Sequence, residues 1–339
     1  MDRALRVAVV GVGRMGAFHA HALTDVSAVD VVAVADSRGD HARSVARDVG
    51  AVPYGSPAAL LERDDVDAWL IATPTVTHPG MVDAALDAGL HVLCEKPLAL
   101  DPDESEALGA RARAAQRVLQ VGFWRRFSPP WAAARQLLDA GTIGRPVMVR
   151  LAQWDAAAPP ADFCDPAVSG GLAIDCGVHE FDLVTWLTGL EIETVTARNL
   201  PLVDASVGAA GDVDNLLAVL DLTGGAVATV DLSRNCRYGD DVRTEILGED
   251  GAIFVDLLPT GRARLATAAG VEVVSGSVTD DAFEAGVAGQ AVAFAEAVSG
   301  SRADFPGAGA AARAVATGRA VQQAATGAPV ALRGSTRRP

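Results

Sequence analysis

Asp175, His179 and Asp182 are spaced i, i+4 and i+7, so on a helix they share one face. An imidazole with a carboxylate one turn to either side can be oriented, and its charged form stabilised. That suits general acid–base work near neutral pH. A solvated polar stripe with an incidental histidine would show the same spacing. Lys96 is the second candidate: among 28 Lys and Arg residues it is the one lysine. It stands in Leu93-Cys94-Glu95-Lys96-Pro97, at the end of an apolar run. An ammonium is a compact charge that can share or release a proton when buried, whereas a guanidinium stays protonated. Codon bias with one leftover lysine is the plainer reading. The third constellation is Gly11-Val12-Gly13-Arg14-Met15-Gly16, a glycine pattern able to cradle a pyrophosphate.

The elements around these residues decide between the readings. Residues 5–10 form a β-branched run directly before the glycines, and the Ala-rich segment 17–23 reads as a helix. In that setting the first glycine permits a tight turn, the second admits a pyrophosphate against the backbone, and the third allows close helix–strand packing. The phosphates then lie at a helix N-terminus. A second strand, 29–35, ends at Asp36, 20 residues beyond Gly16. A carboxylate there accepts hydrogen bonds from both adenosine ribose hydroxyls and repels a 2′-phosphate. Ser37 can add a hydrogen bond, and Arg38 can turn toward a phosphate. The expected cofactor is therefore NAD, with NADP the weaker one. Strand 67–72 runs into Thr73-Pro74-Thr75-Val76-Thr77-His78, helix 80–88 closes at Gly89, and strand 90–94 carries Glu95 and Lys96. Helix 102–115 and strand 118–123 follow. Strands alternating with helices imply a parallel sheet, which gathers Gly11, Asp36, Thr73 and Lys96 at its carboxyl edge.

After residue 123 the pattern changes to apolar alternation typical of half-buried strands, at 147–152, 191–197, 215–221, 226–232 and 244–257. Gly224-Gly225 reads as a hairpin turn. Helix 170–187 carries Asp175 and His179, and helices at 284–298 and 307–325 close the chain, with 335–339 as a frayed tail. The fold class expected is α/β: a Rossmann dinucleotide-binding domain over 1–123, then an α+β domain over 124–339 with an open, mainly antiparallel sheet. Gly177 inside a helix costs up to about 1 kcal/mol against alanine, and suits a place where substrate or cofactor comes close. Net charge −15 and a pI near 4.7 speak against nucleic acid or an anionic membrane as partner. No long apolar stretch follows Met1-Asp2-Arg3 or crosses a membrane's width, and the four cysteines form no C-x-x-C pair. A cytoplasmic protein with reduced thiols is expected. His19 and His21 are too close for one helical face, and no metal site is expected.

The glycine motif, Thr73-Pro74-Thr75 with His78, Glu95-Lys96-Pro97 and Asp175-x-x-x-His179-x-x-Asp182 together resemble the Gfo/Idh/MocA oxidoreductases over most of the chain. Within that family, Gly122-Phe123-Trp124-Arg125-Arg126-Phe127 and Ser233-Arg234-Asn235-Cys236-Arg237-Tyr238-Gly239 resemble the inositol 2-dehydrogenases. The resemblance implies an NAD-dependent enzyme that oxidises a secondary alcohol of a cyclitol or sugar to the ketone. Lys96, Asp175 and His179 would be catalytic: His179 takes the hydroxyl proton, Lys96 stabilises charge on that oxygen, and Asp175 orients the pair. Gly11, Gly13, Arg14, Met15, Gly16, Asp36, Ser37, Arg38, Thr73, Pro74, Thr75, His78, Glu95 and Lys96 would bind cofactor. Trp124, Arg125, Trp154, Asp155, Asn235 and Tyr238 would reach further hydroxyls. Ala152-Gln153-Trp154-Asp155 and Pro159-Pro160 depart from a His-Arg-x-Pro stretch of several inositol enzymes, which leaves the particular polyol open. The same residues serve a reductase of a keto-sugar or keto-cyclitol, or an NAD-dependent glycosidase; a non-catalytic sugar-sensing homologue would not need them. The exposed sheet face is expected to form a homodimer or homotetramer.

Overall fold

The computed structural model describes residues 3–256, 262–275 and 282–332. Contacts divide the chain into two compact units, one of residues 1–124 with 286–312, the other of 125–285 with 313–339. The first unit contains β1 (Leu5–Val10), α1 (Arg14–Ala22), β2 (Val29–Ala35), α2 (Gly39–Val49), β3 (Val52–Tyr54), β4 (Ala68–Ile71), α3 (His78–Asp87), β5 (His91–Cys94), α4 (Pro102–Ala114) and β6 (Leu119–Val121). Six parallel strands lie in the order β3-β2-β1-β4-β5-β6. The strand order reverses between β1 and β4, which opens a crevice beyond their carboxyl ends. These strands are covered on both faces, so they read as continuous apolar runs; all four residues of β4 are buried. Asp101 accepts a hydrogen bond from Asp103 N at 2.9 Å and starts α4, with Pro102 in its first turn.

The second unit begins with α5 (Pro129–Asp139) and β7 (Pro146–Trp154). Then come α6 (Pro166–Ser169), α7 (Leu172–Asp175), α8 (Val178–Thr188), β8 (Ile192–Asn199) and α9 (Ala205–Ala209). The remaining strands are β9 (Asn215–Leu222), β10 (Val227–Ser233), β11 (Asp241–Gly248), β12 (Gly251–Asp256), β13 (Arg262–Thr267) and β14 (Gly270–Ser275). Last are α10 (Ala282–Val298), α11 (Ala308–Ala324) and β15 (Val330–Ala331). Nine strands form one sheet, β14-β13-β12-β11-β7-β10-β9-β8-β15. Its pairs are antiparallel except for β7 with β10, which run parallel. Val149, Leu151, Ala228, Val230, Leu232, Leu216, Leu220 and Ile246 form a buried inner face. Helices α5 and α8 pack on this sheet, and Trp131 Nε1 donates to Thr244 Oγ1 at 3.0 Å.

Four features differ from the sequence expectation, each for a local reason. Residues 286–312, expected in the second domain, lie with the first unit, because Ala291, Phe294 and Ala295 of α10 enter its apolar core beside Val7, Val9 and Val29. The expected helix 170–187 is broken. Gly170 and Gly171 adopt positive φ (84° and 73°), and Cys176-Gly177 separates α7 from α8. A Cβ on Gly177 would strike the Ala173 carbonyl and stand 2.8 Å from the Phe181 ring, so internal packing, not an approaching ligand, requires glycine there. Strand 244–257 is a hairpin that turns at Glu249-Asp250. Leu257 and the tail 335–339 lie outside the described residues. No described helix is long and apolar enough to cross a membrane, and among the described residues no three His, Cys, Asp or Glu side chains group as metal ligands.

The glycine turn separates fold from ligand. Gly11 has φ +82°, and a Cβ on Gly16 would fall on the Gly11 carbonyl oxygen, whereas a Cβ on Gly13 would meet nothing nearer than Arg38 Nη2 at 3.8 Å. Gly16→Ala should therefore lose about 1–3 kcal/mol of stability by overpacking, and Gly13→Ala almost none. Thermal melting of the two variants checks this; equal melting temperatures would contradict it.

Candidate active site

The first unit places its candidate residues along the carboxyl edge of the parallel sheet. Val12 N donates to Asp36 Oδ2 at 2.9 Å, tying the second strand's end to the glycine turn. Arg38 N and Nε donate to Asp36 Oδ1 at 2.8 and 3.2 Å. Burial works against ionising Asp36, but these donors outweigh it and hold the carboxyl below its ordinary value. Arg14, Ser37 and Arg38 are exposed, and Met15 is half-buried. The open backbone at Gly13, the left-handed Gly11 and the anionic Asp36 fit a dinucleotide with free ribose hydroxyls.

Thr73, Pro74 and Thr75 continue β4, and Thr77 Oγ1 donates to Thr73 Oγ1 at 2.7 Å. His78 is buried, with Nδ1 2.8 Å from Pro97 O and Nε2 2.8 Å from Thr73 O. It bridges the ends of β4 and β5, and both ring nitrogens are used within the protein. Burial disfavours the imidazolium and lowers its pKa, although the two carbonyls favour it. Glu95 is buried as well: His19 Nε2 donates to its Oε1 at 2.7 Å, and Lys96 N donates to its Oε2 at 3.0 Å. Burial alone would raise Glu95; His19 and Lys96 reverse that and keep it below its ordinary value. Lys96 is half-buried at the end of β5. Trp124 is buried in a short 3-10 turn, residues 124–127.

The second unit's candidates collect where β7 and β10 end side by side, a consequence of their parallel pairing. Asp155 N donates to Ser233 O at 2.8 Å, and Cys236 N donates to Asp155 O at 2.9 Å. Gln153 Nε2 donates to Asp155 Oδ1 at 3.0 Å, and Cys176 Sγ donates to Asp155 Oδ2 at 3.3 Å. Asp175, 16% exposed, accepts from Arg234 Nη2 at 3.1 Å, and Arg234 Nη1 donates to Asp212 at 2.7 Å. His179, one turn on, is buried. Asn235 is half-buried at the same strand end, its N–H donating to Ser233 Oγ at 3.1 Å.

Other expected site residues face elsewhere. Arg125 is buried; it pairs with Glu180, donates to Gln153 Oε1 at 2.7 Å and lies 5.5 Å over the Trp131 ring. Asp182 is buried against Arg126 at 2.5 and 2.8 Å, so it braces the helix instead of flanking His179. Burial raises both Glu180 and Asp182 against the opposing pull of their arginines. Trp154 alternates with Gln153 to the outer sheet face, where Nε1 donates to Asp231 at 3.0 Å and Arg243 covers its ring at 5.6 Å. Tyr238 is 73% exposed and donates to Asp241 at 2.6 Å, which pushes its own pKa up. Arg234, Asp212, Glu180 and His19 carried no role in the sequence reading. Arginine at an inward-facing strand end beside Asn235 was the one available signal.

With this geometry the chain belongs to the Gfo/Idh/MocA oxidoreductases. The family model described as an oxidoreductase family with an NAD-binding Rossmann fold matches residues 5–123, and that of the GFO/IDH/MocA C-terminal domain matches 131–254. Among its relatives, the scyllo-inositol 2-dehydrogenase (NAD(+)) of Bacillus subtilis is 38% identical over 76% of this chain and 75% of that protein. The myo-inositol 2-dehydrogenase of Thermotoga maritima is 37% identical over 74% of this chain and 75% of that protein. The crystal structure of scyllo-inositol dehydrogenase from Lactobacillus casei with NAD(H) and scyllo-inositol superposes with a TM-score of 0.84. It shares 26% identity, covering 97% of this chain and 99% of that one.

Asp36→Ser should remove the like charge from a 2′-phosphate and release Arg38 to bind it. The ratio of kcat/KM with NADP to that with NAD should rise about ten-fold or more. An unchanged ratio would assign cofactor choice to other residues.

Proposed function

We propose that this oxidoreductase oxidises a secondary alcohol of a cyclitol, a myo-inositol-like polyol, to the ketone. The observation that carries the reading is Asp175, held beside a buried guanidinium one turn before His179, in a chain whose relatives are inositol dehydrogenases. NAD, when bound, supplies the acceptor for the hydride leaving carbon. His179 accepts the hydroxyl proton. Lys96 hydrogen-bonds the alcohol oxygen and stabilises the negative charge that develops on it; a preorganised donor of this kind is worth a few kcal/mol. Asp175 orients the histidine and holds a neighbouring hydroxyl, and Asp155 and Asn235 take further hydroxyls. Glu95 sets the backbone of Lys96 through its N–H, and His78 holds the turn beyond it. Four buried cysteines that form no disulfide accord with a cytoplasmic setting.

Inositol isomers and aldoses assayed with NAD and NADP test this reading. Steady formation of reduced nicotinamide with at least one cyclitol is expected; turnover on aldoses alone would overturn the substrate class. Lys96→Arg should lose at least about 10²-fold in kcat with cofactor affinity nearly unchanged, because a guanidinium fork cannot take an ammonium's place against one oxygen. Near-parental turnover would remove Lys96 from the chemistry.

The outer sheet face is assigned to a contact between copies. Leu217 and Leu247 are exposed on two of its strands, and such apolar surface marks an interface. A dimer or a two-fold tetramer is expected in sedimentation; monomer alone at micromolar concentration would exclude it.

A further inference from the structure

The Arg234 side chain has no exposure, yet it carries a full charge between two carboxylates. Taking a guanidinium out of water costs several kcal/mol unless its partners are well placed. Here Nη2 donates to Asp175 at 3.1 Å and Nη1 to Asp212 at 2.7 Å, with Cys164 Sγ 3.6 Å from Nη1. Asp212 is fixed in turn. Both of its oxygens accept from Leu172 N, at 3.1 and 3.0 Å, which anchors the first residue of α7. Gly171 makes that approach possible, since a Cβ there would stand 2.7 Å from Asp212 Oδ1. Arg234 N donates to Asp214 O at 2.9 Å, and Asp214 Oδ2 accepts from Val203 N and Asp204 N. The guanidinium therefore hangs from a fixed strand end, and its two arms set the start of α7 and the carboxylate at the end of α7.

We infer that Arg234 is a positioning residue: it fixes the rotamer of Asp175 and keeps it a carboxylate, so that Asp175 can orient His179. This rests on the catalytic reading of Asp175 above. Arg234 supplies a positive charge beside Asp175, and Asp212, Asp155 and the thiols of Cys176 and Cys164 lie around the same pair. Burial disfavours the charged guanidinium, but these anionic neighbours raise its pKa, so it stays protonated wherever the protein is folded. Removing that guanidinium takes away a positive charge 3.1 Å from Asp175 and so disfavours its ionised form.

The test is a pH profile of kcat/KM for myo- and scyllo-inositol with NAD in Arg234→Gln, Arg234→Lys, Asp175→Asn and the double variant Arg234→Gln/Asp175→Asn. Arg234→Gln should move the acid limb up by about one pH unit or more. It should lower kcat/KM at neutral pH at least ten-fold, with NAD affinity unchanged. The double variant should be no slower than Asp175→Asn alone, because both act through one carboxylate. Arg234→Lys should restore the acid limb while still losing activity, since one ammonium cannot hold two carboxylates as a fork does. A folded Arg234→Gln with the parent's acid limb would overturn the inference, as would additive losses in the double variant. Should Arg234→Gln fail to fold, Arg234→Lys decides: full parental kcat/KM would refute positioning by the fork, and a reduced kcat/KM on a parental acid limb would support it. If Asp175→Asn itself leaves turnover untouched, the catalytic reading of Asp175 fails, and that outcome is distinct from a failure of Arg234 alone.

Discussion

A buried arginine fork between Asp175 and Asp212 is the constraint on which the second unit's site depends. Removing one partner of such a cluster leaves an uncompensated charge in the interior, at a cost of about 3–5 kcal/mol. The surrounding structure accommodates this requirement. Gly171 stays small so that Asp212 can approach, and Asp212 caps α7 through Leu172 N. The parallel pairing of β7 with β10 brings Asp155 to the same strand end from which Arg234 extends. A second buried ion pair, Arg125 with Glu180, and a third, Arg126 with Asp182, fix α8 on either side of Phe181. His179 thus sits on a helix whose neighbouring side chains are pinned by charge.

The first unit uses the same physics with different residues. Glu95 is shared between His19 on α1 and the backbone N–H of Lys96, so the glycine-turn helix and the lysine at the end of β5 are tied through one carboxylate. His78 spans the ends of β4 and β5 from carbonyl to carbonyl. Asp36 joins the ends of β1 and β2 through Val12 N. Each tie runs across the carboxyl edge of the sheet, where loops alone would leave the binding groups poorly fixed. Preorganisation of this kind lets one donor or one carboxylate act with little rearrangement.

The nucleotide unit was legible because its signals are local. A glycine turn, an acidic residue at the end of the next strand and uninterrupted apolar strands all lie within short stretches. The second unit was legible in its elements but not in its faces. Alternation marks a strand, yet it does not distinguish the parallel β7–β10 pair from an antiparallel one. It likewise left open whether Gln153 or Trp154 points toward Asp155 and Asp175; the register against β10 and β11 turns Trp154 outward. Arg125 and Asp182 looked like site residues by proximity in sequence, but their partners lie 55 and 56 residues away. Arg234, which holds Asp175, is 59 residues away from it, and no spacing rule reaches that far. Residues 286–312 belong with the first unit for the same reason: a helix's apolar face does not name the core it enters.

The most direct measurement follows the hydrogen itself. A myo- or scyllo-inositol deuterated at the carbon to be oxidised, incubated with the protein and NAD, should give reduced nicotinamide that carries the deuterium, with a normal primary isotope effect on kcat/KM. Deuterium released to solvent, or ketone formed without deuterium on the nicotinamide, would contradict hydride transfer as the reaction of this site.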